Sequence, residues 1–284
     1  MTLGRRDIRR LLAEHDLEPR RARGQHFVAD ANTVRRIARL AGVGPGDRVV
    51  EVGAGLGSLT LALAETGAHV VAIEVDRRLL PVLRSVVEPA GVSVVEGDAM
   101  HLDWDALLGG SVWHLVANLP YNVATPLIAD LLDHVPAIIH MVVMVQREVA
   151  ERLAANAGDD AYGAVSVKVA YWATASVVGR VPASVFVPPP SVESALVRIV
   201  RRQTTAVDGV DAGWLFELVG RAFRQRRKML RRSLAGVVGD DEFACAGVRP
   251  QARAEELDVA AWGRLAACTP RPEVRKTPTG PAPS

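Results

Sequence analysis

Residues 49–57 read Val-Val-Glu-Val-Gly-Ala-Gly-Leu-Gly, an apolar run that ends in three glycines at alternate positions. The run predicts a short buried strand, and a helical pattern over residues 59–65 follows it. Glycines in such a turn permit tight backbone conformations and let a ligand approach the main chain closely. The stretch therefore predicts the first strand, turn and helix of an α/β fold, with a ligand at the turn.

Strand and helix patterns continue to alternate after this turn. Further strands are predicted over residues 69–73, 92–95, 112–117 and 139–145, and further helices over residues 77–87, 125–132 and 147–155. This alternation is typical of right-handed βαβ units, so we expect a Rossmann-like parallel sheet. Strands predicted over residues 170–178 and 194–201 have no long helix between them, which indicates a hairpin-like pair closing one edge of the sheet.

Acidic side chains lie at the ends of the first three predicted strands. Glu51 precedes the glycines, Glu74 ends the second strand, and Asp98 follows the third. A GxGxG turn with an acid before it favours S-adenosylmethionine over a dinucleotide, whose fingerprint is GxGxxG. Glu74 can accept both ribose hydroxyls, as in NAD enzymes, and Asp98 can accept from an adenine amine or cap the next helix. With Gly53 and Gly55, these side chains form a candidate cofactor site.

The tetrapeptide Asn118-Leu119-Pro120-Tyr121 directly follows the predicted strand over residues 112–117. In an open α/β sheet, ligands bind outside the carboxyl ends of the strands. Asn118 and the backbone carbonyl of Leu119 or Pro120 can accept the two N–H groups of a primary aromatic amine, while Tyr121 offers a π-face for stacking. An ordinary strand-to-helix turn uses the same residue types, so the tetrapeptide alone leaves both interpretations open.

Length and composition favour a globular protein. The chain has 284 residues, a net charge of +2 and two cysteines, Cys245 and Cys268, which cannot build a disulfide framework and have no metal-ligand partners at a recognisable spacing. Apolar runs are far shorter than the about 20 residues that cross a bilayer. We expect a cytoplasmic protein, a monomer, with no metal and no membrane contact.

The chain divides by composition into four predicted parts. These are a basic N-terminal arm with helices over residues 1–44, the Rossmann-like domain over 45–203, a small all-α domain over 204–268 and a disordered, proline-rich tail over 269–284. In the all-α domain, apolar residues recur at helical spacing from Leu215 to Leu234. A second, basic stripe at the same spacing is either an RNA-phosphate-binding surface or a solvated helix face; it consists of Arg221, Arg224, Lys228 and Arg231.

Several motifs resemble the KsgA (RsmA) family of small-subunit rRNA adenine N6,N6-dimethyltransferases, which are class I S-adenosylmethionine-dependent methyltransferases. The resemblance runs from about residue 20 to residue 266. Besides the glycine turn, its motifs are Gly24-Gln25-His26-Phe27, Asn118-Leu119-Pro120-Tyr121, Val145-Gln146-Arg147-Glu148-Val149-Ala150, the segment from Phe186 to Ser194, and Ala222-Phe223-Arg224-Gln225-Arg226-Arg227-Lys228. The last motif separates the small-subunit enzymes from the related macrolide-resistance enzymes.

The resemblance implies an activity and a set of contacts. It implies transfer of methyl groups from S-adenosylmethionine to N6 of two adjacent adenosines near the 3′ end of 16S rRNA in the small ribosomal subunit. It also implies that Phe186 faces Tyr121 across the target adenine. His26 stands where the family has Asn, and its imidazole can donate or accept a hydrogen bond at a different reach. The implied cofactor contacts are His26, Val28, Gly53, Glu74, Asp98 and Asn118.

Other functions fit parts of the same sequence. A large-subunit rRNA methyltransferase of the macrolide-resistance type would share the glycine turn and the Asn118 motif, and a non-catalytic RNA-binding ribosome assembly factor would share the fold. A small-molecule methyltransferase would have little use for the basic stripe. An NAD-dependent oxidoreductase would need a hydride-transfer partner, such as a placed His or Lys, which the sequence does not indicate.

Overall fold

The computed structural model describes residues 2–20 and 24–271. The chain divides into two compact units between Ala206 and Val207, whereas the composition predicts a boundary between residues 203 and 204. Two sequence expectations fall partly or wholly outside the described residues. They are the tail from residue 272 onward and the arginines at positions 21 and 23 of the N-terminal arm.

The first unit contains an α/β sheet and the N-terminal helices. In chain order its elements are α1 (Arg5–Glu14), β1 (Phe27–Val28), α2 (Ala31–Ala41), β2 (Arg48–Val52), α3 (Ser58–Ala64), β3 (His69–Glu74), α4 (Leu80–Val87), β4 (Ser93–Glu96), α5 (Trp104–Leu108), β5 (Trp113–Asn118), α6 (Ala124–His134), β6 (Ile138–Gln146), α7 (Arg147–Leu153), α8 (Ala164–Trp172), β7 (Ala173–Val181), β8 (Phe186–Val187) and β9 (Ser194–Arg201).

Seven strands form the main sheet in the order β4-β3-β2-β5-β6-β9-β7. Strands β2 to β6 pair in parallel, and β9 pairs antiparallel with both β6 and β7. The α/β class and the antiparallel pair at one edge are therefore confirmed. Because the strand order reverses between β2 and β5, their carboxyl ends form the crevice where ligands bind in such sheets.

Alternating side chains of each strand bury against helices on opposite faces of the sheet. Val50 packs with Leu127 of α6 on one face, and Val49 packs with Ile37 of α2 and Leu63 of α3 on the other. Burying one such side chain stabilises a fold by about 1.5–3 kcal/mol. These two apolar layers hold the strands in place, and the functional side chains lie at the carboxyl ends of the strands.

Two local predictions in this unit differ from the structure. The strand predicted from residue 170 begins at Ala173, because the apolar run from Val165 to Trp172 forms α8; a short apolar run does not distinguish a buried strand from a buried helix. The basic N-terminal arm is packed against the sheet unit, since Ile8 of α1 lies in one cluster with Phe27 and Leu79.

The described part of the second unit, residues 207–271, contains the α-helices α9 (Ala212–Phe223), α10 (Leu230–Ser233), α11 (Asp240–Ala246) and α12 (Val259–Cys268), with a 3-10 helix at Ala254–Glu256. The continuous helical stripe predicted from Leu215 to Leu234 is wrong, because the chain turns between α9 and α10. There Met229 forms a β-bridge with Arg253, and the Leu230 N–H donates to the Ala252 carbonyl at 2.8 Å. Hydrogen bonds to the segment around Ala252 and Arg253 thus replace the helical hydrogen bonds that would continue α9.

Two further expectations about the second unit need correction. Cys245 of α11 and Cys268 of α12 form a disulfide, although they lie 23 residues apart and show no framework pattern. Thr269, predicted to begin the disordered tail, is buried, and its carbonyl accepts a 2.8 Å hydrogen bond from Trp214 Nε1. Among the described residues, no helix is long and apolar enough to span a bilayer.

Candidate active site

Two adjacent cavities open at the carboxyl ends of β2 to β5, and they share Gly53, Val75 and Pro120. Asp98 lines the second cavity, between β4 and α6. The other predicted cofactor residues all line the first cavity: His26, Val28, Gly53, Gly55, Glu74 and Asn118. Tertiary structure therefore assembles the predicted set along one groove at the switch point of the sheet.

The glycine turn between β2 and α3 needs its glycines for two reasons. Gly53, Gly55 and Gly57 have φ values of +75°, +60° and +85°, which favour glycine. A Cβ at Gly55 would also lie 3.0 Å from the Phe27 ring, and one at Gly57 would lie 2.5 Å from Val87. The turn therefore keeps the backbone exposed to the first cavity.

Glu74 supports this turn. Its Oε2 accepts from the Gly55 N–H at 2.8 Å, and its Oε1 accepts from the N–H groups of Val75 at 3.0 Å and Asp76 at 2.8 Å. Burial raises the pKa of the Glu74 carboxyl, while these three donors act in the opposite direction. Because an oxygen with one donor can accept another, Oε2 remains able to receive a ligand hydroxyl.

Glu51, at the end of β2, is a buried carboxyl without a complete set of partners. It is 1% exposed and lines the first cavity, and its Oε2 has no hydrogen-bond partner among the described residues. Burial raises the pKa of Glu51 to about 8, and the nearby charge of Glu74 adds to this effect. The sequence drew attention to Glu51 as part of the motif, but not to its unsatisfied oxygen.

Asp98 does not cap the next helix, because the N-cap of α5 is Asp103. The Asp98 Oδ1 atom accepts from the Met100 N–H at 3.0 Å, and its Oδ2 lies 3.2 Å from His101 Nδ1. The carboxylate therefore caps a turn, and it also lines the second cavity.

Asn118, the last residue of β5, holds its amide in one orientation. Its Nδ2 donates to the His26 carbonyl at 3.1 Å, which leaves Oδ1 without a donor among the described residues. The Pro120 carbonyl already accepts from the N–H groups of Val123 and Ala124, each at 3.1 Å, whereas the Leu119 carbonyl accepts no backbone hydrogen bond in the described chain. Of the two carbonyls that the sequence left open, only that of Leu119 has no backbone donor in the described chain.

Tyr121 follows these acceptors by two residues, and Phe186 lies in the apolar core. The Tyr121 hydroxyl is 3.0 Å from Ser194 Oγ, and burial raises the pKa of Tyr121. Phe186 is only 1% exposed and belongs to the apolar cluster that contains Ile37 and Leu63. That Tyr121 and Phe186 face each other across the target adenine stays a prediction.

Two motifs far apart in the sequence meet at the site through β1 and β8. These strands pair antiparallel, with Phe27 opposite Val187 and Val28 opposite Phe186. Beyond the strands, His26 Nδ1 lies 2.8 Å from the Pro188 carbonyl. The Gly-Gln-His-Phe and Phe-Val-Pro-Pro-Pro segments thus form one wall of the site.

The predicted RNA-contact residues lie in the second unit. Arg221 forms an ion pair with Glu217 of the same helix at 2.7 Å, whereas Arg224, Lys228 and Arg231 are exposed. Because α9 ends at Phe223, the four side chains do not form one face of a single helix.

Comparison with known proteins identifies the family. The family model described as ribosomal RNA adenine dimethylase matches residues 17–269. The chain belongs to the ribosomal RNA adenine dimethylase family. It is 49% identical over 273 residues to ribosomal RNA small subunit methyltransferase A of Cutibacterium acnes, covering 91% of each chain. It is 46% identical to the protein of the same name from Phenylobacterium zucineum, again covering 91% of each.

Solved structures agree with the observed fold. A dimethyladenosine transferase from Plasmodium falciparum superposes with a TM-score of 0.73 at 24% identity, covering 84% of this chain and 96% of that one. The 23S rRNA methyltransferase ErmE superposes with a TM-score of 0.65 at 26% identity, covering 85% and 98%. The adenine dimethylase family therefore shares the Rossmann-like class I methyltransferase fold seen here.

Proposed function

We propose that this chain transfers methyl groups from S-adenosylmethionine to N6 of two adjacent adenosines near the 3′ end of 16S rRNA in the small ribosomal subunit, giving N6,N6-dimethyladenosine. The observation that carries the proposal is a pair of acceptors without protein donors, in the same tetrapeptide as an aromatic ring. Asn118 Oδ1 and the Leu119 carbonyl both lack donors in the described chain, and Tyr121 lies two residues beyond Leu119. A primary amine on a flat aromatic ring has two N–H donors for these acceptors and a π-face that can stack on Tyr121.

The residues of the two cavities fit S-adenosylmethionine. The unsatisfied Oε2 of Glu51 offers a buried acceptor for a cationic amine, and Glu74 Oε2 offers one for a ribose hydroxyl. Asp98 in the second cavity can accept from an adenine amine. When bound, the cofactor supplies a methyl group activated by attachment to a positively charged sulfur.

The chain's own contribution to catalysis is to orient and polarise the target amine. The N6 lone pair of adenine is delocalised into the ring, which makes this nitrogen a poor nucleophile. Asn118 Oδ1 and the Leu119 carbonyl, by accepting its two N–H groups, turn the nitrogen towards tetrahedral geometry and free the lone pair. The same acceptors and the Tyr121 face stabilise the positive charge that develops on N6. Positioning and electrostatics thus supply most of the rate.

The RNA-contact residues remain a proposal that rests on charge and exposure. Arg224, Lys228 and Arg231 are exposed cations in one segment of the second unit, and such side chains bind phosphates without reading sequence. Arg221 already forms an ion pair with Glu217, so we expect it to contribute less to phosphate binding. The shape of the folded rRNA would then select the adenosines.

Two other functions remain as alternatives for the test. Methylation of large-subunit rRNA is the activity named for ErmE, which shares 26% identity with this chain, against 44–49% for the small-subunit relatives. A non-catalytic assembly factor would have no need for open acceptors at Asn118 and Leu119. Both considerations favour the small-subunit enzyme.

The test offers labelled S-adenosylmethionine and the purified chain to unmethylated small subunits, and separately to large subunits, and maps the modified nucleotides. We expect label on two adjacent adenosines near the 3′ end of the small-subunit RNA. Label on large-subunit RNA would support the first alternative, and no label on either subunit would support the second.

A further inference from the structure

The N-terminal helix α1 packs an apolar face against the first unit. Its buried side chains, Ile8, Leu11 and Leu12, recur at three- and four-residue spacing, which places them on one side of the helix. The Asp7 carboxylate accepts from the Gly4 N–H at 2.9 Å and so caps the start of the helix. Because a helix of this length is marginal in isolation, its stability depends on what the apolar face contacts.

Ile8 of this helix borders the first cavity. It is 0% exposed, and among the described residues that line the cavity it alone precedes residue 24. The family model matches residues 17–269, so it includes the other lining residues and leaves out α1, which ends at Glu14. One wall of the cavity therefore comes from outside the segment that identifies the family, and this wall is closed to solvent at Ile8.

Hydrogen bonds hold α1 and the residues before it at the cavity from two sides. The Arg5 guanidinium donates to the Phe186 carbonyl at 3.4 Å and also to the Ser184 carbonyl. Ser58 Oγ, at the start of α3, donates to the Leu3 carbonyl at 3.4 Å, and Ser58 itself lines the first cavity. The N-terminal segment is thus connected both to β8 and to the helix that follows the glycine turn.

The side chains packed around Ile8 give the cavity an apolar part. Phe27, Leu56 and Leu79 belong to the same buried cluster as Ile8, and all three also line the first cavity. The carboxyls of Glu51 and Glu74 line the same cavity at the strand ends. Apolar surface combined with a few placed polar groups is typical of a site for a small organic ligand.

We propose that α1 is the sealing wall of the cofactor cavity and that Ile8 is the residue through which this helix retains the cofactor. The inference rests on the use of S-adenosylmethionine proposed above. Ile8 supplies apolar surface and keeps solvent out on its side of the cavity, while the Arg5 bonds hold the helix in place. Loosening α1 then speeds the loss of bound cofactor and leaves the acceptors of Glu51 and Glu74 where they are.

The first experiment measures S-adenosylmethionine binding by calorimetry and its dissociation rate by stopped flow, for the full chain and two variants. Ile8→Ala should weaken binding by about 4–50-fold, since each buried methylene that loses its contact changes affinity by about fourfold, and most of the change should lie in the dissociation rate. Leu12→Ala is the matched control, because Leu12 is buried in the same helix and cluster but does not line the cavity. Both variants should lose stability in urea, and only Ile8→Ala should lose affinity.

A second pair of variants tests the Arg5 bonds without opening the apolar core. Arg5→Ala removes the donor to the Ser184 and Phe186 carbonyls and should speed cofactor dissociation, whereas Arg6→Ala, at the exposed neighbouring position, should behave as the wild type. Hydrogen exchange at the amides of residues 5–14 provides a measurement on the unaltered chain. It should slow when the cofactor binds, because a ligand that contacts α1 stabilises its folded state.

The outcomes separate this inference from the proposed function. Wild-type affinity in both Ile8→Ala and Arg5→Ala, or an equal loss of affinity in Ile8→Ala and Leu12→Ala, would overturn the role of α1 and leave the methyltransferase proposal intact. Exchange at α1 that the cofactor does not change, while exchange at the Gly55 amide slows, would overturn it as well. If the wild type bound no S-adenosylmethionine, the proposed function would fail and the inference with it.

Discussion

Val28 and Phe186 lie directly opposite each other in the antiparallel pair of β1 and β8. Val28 lines the first cavity, and Phe186 begins the segment that reaches the His26 ring through Pro188. The Ala29 N–H extends the pairing with a 2.8 Å hydrogen bond to the Val185 carbonyl. The paired strands β1 and β8 therefore support one side of the first cavity.

This pairing predicts that truncating Phe186 damages the support as well as the core. Phe186→Ala should lower the free energy of unfolding by about 3–5 kcal/mol, the cost of removing a fully buried ring, and should also weaken cofactor binding because Val28, which lines the first cavity, loses packing in the cluster it shares with Phe186. Phe186→Leu, which keeps an apolar side chain, is the control and should lose less of both. Urea denaturation and calorimetry measure the two effects; wild-type unfolding in the alanine variant would contradict the burial assigned to this ring.

Glu51 predicts a dependence of stability on pH. Its pKa is about 8 in the folded protein, against 4.5 as its ordinary value, so between these pH values the folded state binds more protons than the unfolded state. Stability should therefore fall as pH rises from about 4.5 to 8, by an amount on the order of a few kcal/mol.

Glu51→Gln removes the titrating group and should flatten this profile. It should also weaken S-adenosylmethionine binding above pH 8, where a neutral amide replaces a charged carboxylate as the acceptor for a cationic amine. Unfolding curves at pH 5.5 and 8.5, two conditions within and just above the titration range, compare the variant with the wild type. Glu88→Gln, at an exposed position, is the control. Identical pH dependence in Glu51→Gln and the wild type would remove Glu51 as its source.

Asn118 and Tyr121 should differ in what their loss costs. Asn118→Ala removes an acceptor needed as charge develops on N6, so single-turnover methylation at saturating cofactor should fall by about 100–1,000-fold. Tyr121→Phe keeps the π-face and should retain most activity, while the lost bond to buried Ser194 lowers stability by about 1 kcal/mol. Tyr121→Ala should reduce transfer by about 10–100-fold and leave cofactor affinity nearly intact. A Tyr121→Phe variant as inactive as Asn118→Ala would mean that the hydroxyl takes part in the reaction.

The exposed cations of the second unit should control the salt dependence of RNA binding. Reversing Arg224 and Lys228 to Glu should weaken binding and lower the slope of log affinity against log salt by about 2, which corresponds to two phosphate contacts. Reversing Arg39 and Arg84, exposed cations of the first unit, is the matched control for net charge. Equal slopes for the two double variants would mean that Arg224 and Lys228 are only solvated.

Some features of this protein could be predicted from local sequence because local physics decides them. A β-branched run followed by alternate glycines predicts a strand and a turn with positive φ, and the structure has both at β2 and Gly53. The acidic residues at strand ends and Asn118 after β5 follow from the same periodicity. Their convergence on one groove follows from the rule that parallel strands end at the same edge of a sheet.

Other features depend on contacts between residues far apart in the chain, and no local pattern encodes them. The pairing of β1 with β8 places Phe186 opposite Val28, and the His26 ring lies 6.0 Å from that of Tyr121. The bridge of Met229 with Arg253 ends the helix that the spacing of apolar residues predicts, and the packing of α11 and α12 brings Cys245 and Cys268 together. By itself, the sequence determined the class of fold and the kinds of groups at the site. Only the tertiary structure decided which carbonyl lacks a backbone donor, which carboxyl oxygen lacks a partner and which ring is buried in the core, because hydrogen bonding and burial are properties of residues brought together by folding.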